Sequence, residues 1–344
     1  MYPLIDTIQI FEKLKNGKSE IKKEIIECAC KNSYDTQIYL WKKYKNLKIE
    51  NKYVDFLSIV RDGEFYYKNV FPKIYEDLEK NLNTRFFIYE NNSTDNTKEI
   101  LKTLSLKHNN IFIKSEDLEI KNKNRFEKIT LARNNLSKFY KKCINKNEIG
   151  GNWLFLYDTD IIFNYEESIK PLMESNYDKK GLMFLTFSVF AGYNKKLNFL
   201  LFKQKKTRTD LLFIELMLSY YYDTLALEYG SFFSKNTAEF FQGEKKKKIN
   251  TGFGGLGMIS TIYYLTSYYD LIDIPKNIEK NKKLDDKCCE HWGFGKRLNT
   301  MGYMYIISDS NSLWYQDRDY LNDKFFDYVI FFIKNKKLSN IYYT

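Results

Sequence analysis

The chain has 344 residues, 44% of them hydrophobic and 17% aromatic, enough to bury one large domain with an appendage or two modest domains. That excludes disorder as the main state. The formal charge of +11 suits nucleic acid, an anionic membrane surface or a phosphate-bearing small molecule, and charge alone does not choose among them.

Residues 1–52 place apolar side chains at helical spacing among charges, as in Ile21, Ile25 and Ile26 and then Tyr39, Leu40 and Tyr44, which predicts a helical appendage. Its first residues, with Asp6 and Glu12, lack the basic-then-apolar pattern of a secretion signal. A central domain is expected over 53–310. Within it, Val54–Val60 reads as a strand, Phe65–Asn81 as a helix and Arg85–Tyr89 as a strand. The alternation continues with a helix at Thr97–Lys107, a strand at Ile111–Lys114, a helix at Lys128–Cys143 and a strand at Trp153–Tyr157. Repeated strand-helix units predict an α/β fold with a mostly parallel sheet flanked by helices, whose ligands sit at the carboxyl ends of the strands.

Gly181–Tyr193 is the longest apolar stretch, well short of the ~20 residues needed to span a bilayer. The run Lys245–Lys248 reads as a solvated loop. Residues 311–344 form a tail with an amphipathic helix expected at Tyr320–Lys334. Cys28, Cys30, Cys143, Cys288 and Cys289 show no paired spacing for zinc, so reduced thiols in a cytoplasm-like compartment are expected.

The chemistry concentrates in a few places. Asp158-Thr159-Asp160 follows the apolar run Trp153–Tyr157, so two carboxylates stand at a strand end, and extended geometry would turn them to one side. Two hard oxygen donors suit Mn²⁺ or Mg²⁺, which in turn holds a nucleotide diphosphate; the alternative is an Asp pair capping a turn. Glu90 ends the second strand, where an acidic group can bind ribose or base, and Asp95 follows, where helix capping competes with ligand binding. Arg133, beside Asn134 on the third helix, can fork onto a phosphate or pair with a carboxylate near the nucleotide. With Arg61, just past the first strand, these residues and Gly254 and Gly255 make up the candidate donor-binding set.

Gly252-Phe253-Gly254-Gly255-Leu256-Gly257 matches the dinucleotide fingerprint, but the Lys-rich run before it is not the buried strand that fingerprint requires. Its glycines fit a close approach of backbone to a sugar or to the neighbouring chain. Glu290 and His291, among aromatic residues and late in a chain with only 2 histidines, suit a metal ligand paired with a reaction-centre carboxylate.

Six segments in order, IYENNSTDNT at 88–97, RFEKITLARN at 125–134, LYDTDIIF at 156–163, YYDTLAL at 221–227, GFGGLGMI at 252–259 and CEHWGF at 289–294, resemble the GT-A glycosyltransferases of the fungal capsule mannosyltransferase family and its relatives in large DNA viruses. The resemblance runs from about Tyr53 to Ser308 and leaves both ends unmatched. It implies a Rossmann-like GT-A domain that moves a sugar from a nucleotide-sugar, a UDP-sugar ahead of GDP-mannose, to a glycan or protein acceptor with retention. It further implies that Asp158 and Asp160 carry the metal and nucleotide, that Arg133 lies near the donor, that Asp223 faces the sugar, and that Glu290 and His291 face the reaction centre. Two carboxylates cannot fill six coordination positions, so His291 is expected to complete the shell, and its nitrogen favours Mn²⁺. The family often has Asn-Asp where this chain has Asp-Thr-Asp, which favours metal use and leaves open which aspartate binds directly. A metal-dependent nucleotidyltransferase and an inactive sugar- or nucleotide-binding scaffold are the competing readings.

Overall fold

A computed structural model describes residues 52–144, 151–175, 181–190, 243–271, 289–299 and 302–314. Four strands come first: β1 (Val54–Val60), β2 (Thr84–Asn91), β3 (Ile111–Glu116) and β4 (Trp153–Tyr157). They alternate with α1 (Phe71–Asn81), which a π-helical turn at Tyr66–Val70 leads into, α2 (Thr97–Lys107) and α3 (Arg125–Ile144). Each crossover carries a helix, so the strands pair parallel, in the order β3-β2-β1-β4. β2 is buried along its whole length, and its centre, Phe86–Tyr89, is correspondingly apolar.

β5 (Ile161–Ile162), α4 (Lys170–Glu174), β6 (Gly181–Phe190), β7 (Lys246–Ile249), β8 (Leu256–Ser260), α5 (Thr261–Thr266), α6 (Glu290–Leu298) and β9 (Tyr303–Trp314) follow. The sheet continues from β4 as β8-β6-β9-β5, with β7 also on β9. Here β8 runs antiparallel to both β4 and β6, and only β6 and β9 pair parallel. The chain is therefore α/β, with a parallel half as expected and a mixed half beyond β4.

One register row runs through every strand but β5: Ile111, Phe86, Phe56, Phe155, Met258, Phe184, Tyr305 and Lys248 stand opposite one another in turn. Phe56 stacks on Phe86 at 5.2 Å and on Phe155 at 4.9 Å, and Phe184 on Tyr305 at 5.8 Å. Such pairs each add roughly 0.5–1.5 kcal/mol beyond the area they bury. In the neighbouring row Gly257 lies between Leu156 and Leu185, where a Cβ would come within 2.5 Å of Leu185 Cδ2.

Three expectations change. Lys246–Ile249 is a strand rather than a solvated loop: Lys248 Nζ lies 3.4 Å from the Tyr303 ring centre and Lys246 Nζ 4.7 Å from that of Tyr305. Lysine stems lie along the tyrosines while their charges blunt the strand against pairing with another chain. The boundary expected at residue 310 falls inside β9, which pairs with β6 as far as Trp314 across a register shift after Ile307, so residues 311–314 are strand and not helical tail. The remainder of that tail, with Tyr320–Lys334, and the appendage at 1–51 lie outside the described residues. Finally, Asp158-Thr159-Asp160 is not extended; it turns between β4 and β5. Among the described residues no helix is long and apolar enough to cross a membrane.

Candidate active site

The carboxyl ends of β1 and β2 are locked into a common rim. Asp62 and Asn92, directly beyond β1 and β2, both adopt positive φ, 53° and 56°, a conformation that Asp and Asn tolerate better than most residues. Asp62 Oδ1 accepts from the Thr94 amide at 2.7 Å, and the Asp62 amide donates to Ser93 Oγ at 3.0 Å. Glu90, fully buried, accepts from the Ser93 amide at 2.8 Å and from the Ser115 hydroxyl, so it shapes the loop after β2 from beneath. Asp95 accepts from the Thr97 amide at 3.0 Å through Oδ1 and from the Glu64 amide at 3.0 Å through Oδ2. Both of its oxygens are thus engaged in tying the start of α2 to the loop after β1, which matches the capping alternative. Arg61 stands at the same rim, half-exposed, with Nε 3.5 Å from Asp62.

Next to this rim, one buried guanidinium joins segments far apart in the chain. Arg133, on α3, donates from Nη2 to Asp158 Oδ1 at 3.0 Å and from Nε to Glu290 Oε1 at 3.1 Å, across 157 residues. Phe253 and Tyr269 flank it, with ring centres 4.9 and 5.6 Å from its central carbon. Burial alone would push the Arg133 guanidinium down, but the Asp158 and Glu290 carboxylates reverse this and hold it above its ordinary value.

His291 Nε2 lies 3.3 Å from the same Glu290 oxygen, and its ring stacks on Phe253 at 4.3 Å. Burial first, and then the Arg133 charge, keep this imidazole well below the usual histidine range, so it is neutral at pH 7. The other ring nitrogen, Nδ1, is buried with no hydrogen-bond partner among the described residues. A neutral imidazole with a carboxylate near one nitrogen can offer the other to a metal. Among the described residues, however, no group of three or more His, Cys, Asp and Glu side chains is gathered as a metal cage.

The glycine-rich segment meets the carboxylates directly. The Asp158 amide donates to Gly255 O at 2.8 Å, and Gly254 and Gly255 have φ of 72° and 80°. A Cβ on Gly255 would fall 2.3 Å from Ile161 Cγ1, so the close approach here is to the neighbouring chain. Strand β8 follows the segment where a dinucleotide site requires a helix, so that fingerprint does not apply. Gly255→Ala is expected to cost about 2–4 kcal/mol, left-handed strain plus overpacking. Urea unfolding measures the loss, and a loss of only about 1–2 kcal/mol, the strain alone, would mean that Ile161 yields freely.

The structure thus brings together Arg133, Asp158, Glu290 and His291, with Gly254, Gly255 and Asp160 on the adjoining turns and Arg61, Glu90 and Asp95 along the rim. Asp223 lies outside the described residues. Phe253 and Tyr269, which wall the guanidinium, carried no sequence signal of their own; Tyr269 is one of 29 tyrosines.

No protein-family model matches the chain, and no curated protein matches it in sequence. Among solved structures, S. aureus TarS is 12% identical, with 83% of this chain and 65% of that chain covered and a TM-score of 0.36. GalNAc-T7, solved with UDP, GalNAc and Mn²⁺, is 10% identical over 79% of this chain and 44% of its own, with a TM-score of 0.44. The mannosyltransferase PcManGT from Pyrobaculum calidifontis, solved with GDP-Man and Mn²⁺, is 9% identical over 81% and 64%, with a TM-score of 0.40. This chain therefore spans between 44% and 65% of the length of these proteins. At such identities and TM-scores no family is shown for it, and its α/β architecture stands on its own strand order.

Proposed function

We propose that this protein is a metal-dependent GT-A glycosyltransferase that moves a sugar from a nucleotide-sugar, a UDP-sugar ahead of GDP-mannose, to a glycan or glycoprotein acceptor. The observation that carries the reading is the Arg133 fork between Asp158 and Glu290, beside a neutral His291, at the carboxyl end of β4. Two carboxylates share one guanidinium, so the cluster has negative charge left over, and a divalent cation is a natural complement. The resemblance of six ordered segments to the fungal-capsule and viral enzymes supports the same reading, to which a cytoplasmic setting with reduced thiols belongs; nucleic acid is not a partner in it.

Asp158, Asp160 and His291 are the residues to hold Mn²⁺, Asp158 sharing its charge with Arg133, and an imidazole donor favours Mn²⁺ over Mg²⁺. When bound, the ion neutralises the charge that develops on the departing nucleoside diphosphate. Glu90, Arg61 and the rim shape the nucleotide end, and Asp223 faces the sugar. Glu290 Oε1 already accepts from the Arg133 guanidinium, which suits it to a positioning role, in keeping with retention.

Thermal shift with Mn²⁺ and UDP, GDP or ATP tests the reading: a nucleotide at about 100 times its Kd adds about 2.7 kcal/mol to the folded state. Stabilisation by one nucleoside diphosphate is expected. Preference for ATP would point to a nucleotidyltransferase, and no shift with any of them to a scaffold.

A further inference from the structure

Asn134 follows Arg133 on α3, and its side chain does something different from its neighbour's. Its Nδ2 donates to Tyr269 O at 2.7 Å, and its Oδ1 accepts from the Tyr269 amide at 2.8 Å. Tyr269 lies in neither helix nor strand, so one amide side chain serves its backbone as a strand partner would. The Tyr269 ring, buried, then stacks on Phe294 at 4.4 Å, meets His291 edge-on at 5.7 Å and walls Arg133. From the other side Arg297 of α6 holds the same segment, through Asp270 at 2.6 Å and through Tyr268 O. The stretch 268–270 is thus a strap between α3 and α6, the helix that carries Glu290 and His291.

We infer that Asn134 is a positioning residue for the candidate active site, holding the Tyr269 backbone and, through the Tyr269 ring, the placement of His291 and the Arg133 guanidinium. The link to donor binding rests on the function proposed above; the placement itself does not. Space-filling alone does not account for the geometry, because a donor and an acceptor are both needed and only an amide at this position offers them to one residue.

Two substitutions separate the roles. Asn134→Ala removes both hydrogen bonds; Asn134→Asp keeps the shape and the acceptor but turns an anionic oxygen towards the Tyr269 carbonyl. The full chain has only 2 histidines, so selective histidine labelling resolves each ring by NMR. His108, whose ring is tilted against that of Tyr75 at 4.5 Å in another part of the fold, reports whether the rest stays intact. Both variants should lose the ring-current shift that Phe253 and Tyr269 impose on His291 while His108 stays put. Binding of UDP or GDP with Mn²⁺, by calorimetry, should weaken by about tenfold in both, the loss expected of about one hydrogen bond. If the alanine variant unfolds and His108 moves too, Asn134→Ser, whose hydroxyl is too short to span both groups, replaces it. An unchanged His291 signal in both variants overturns the inference, as does a signal lost with alanine but kept with aspartate, which means packing alone. A lost signal with undiminished nucleotide affinity overturns it as well, because the strap is then merely structural. If the unmodified protein binds neither nucleotide, the transferase reading falls, and the His291 signal alone decides the role of Asn134.

Discussion

Arg133→Ala should lower stability by about 3–5 kcal/mol and weaken nucleotide-sugar binding by about 1.5–3 kcal/mol. The first figure follows from burial: the guanidinium and the Glu290 carboxylate are each less than a tenth exposed, and removing the cation leaves Glu290 and the more open Asp158 facing one another without their shared partner. The second follows from the fork, since Asp158 would lose the contact that aims it from the end of β4. Arg133→Lys is an informative control. It keeps the charge but offers no second planar donor, so it should hold one carboxylate and release the other, giving an intermediate loss in both measurements. Urea unfolding reports the stability and titration calorimetry the binding. Unchanged donor affinity would remove Arg133 from the site, and unchanged stability would mean that the carboxylates are solvated once the side chain is gone.

Asp160→Ala and Glu290→Gln should both abolish turnover, for different reasons that binding separates. Without Asp160 the cation loses a hard oxygen donor, and metal-dependent nucleotide binding should disappear with activity. A glutamine at 290 still presents an acceptor to Arg133 Nε, so the local scaffold and donor binding should survive while the charge at the proposed reaction centre is lost. A drop in kcat of about 100- to 1,000-fold is the scale for removing one such electrostatic group. Donor hydrolysis that persists in excess EDTA would end the metal mechanism. A Glu290→Gln protein that binds no nucleotide would instead place Glu290 in donor binding.

What could be read from residue order was whatever depends on neighbours in the chain. The apolar run Trp153–Tyr157, the helix Thr97–Lys107 and the strand-helix alternation around them appear in the fold where the spacing put them, because burial on one face imposes its period on local sequence. Asp158, Glu290 and His291 stood out as candidates for a related reason: carboxylates and a rare histidine among apolar residues are costly without partners. The tertiary structure decided the rest. A run of lysines became strand β7 because the tyrosines of β9 lay beneath it, and the polar Asn311 and Ser312 stayed in β9 because Phe187 and Ser188 of β6 supplied their partners. The Asp158–Asp160 pair turned instead of extending because β5 leaves towards β9 immediately after it. Arg133 found Glu290 across 157 residues, and Asn134 found Tyr269 across 135. Those pairings are made by sheet order and helix packing, which bring together side chains whose partners no local spacing can name.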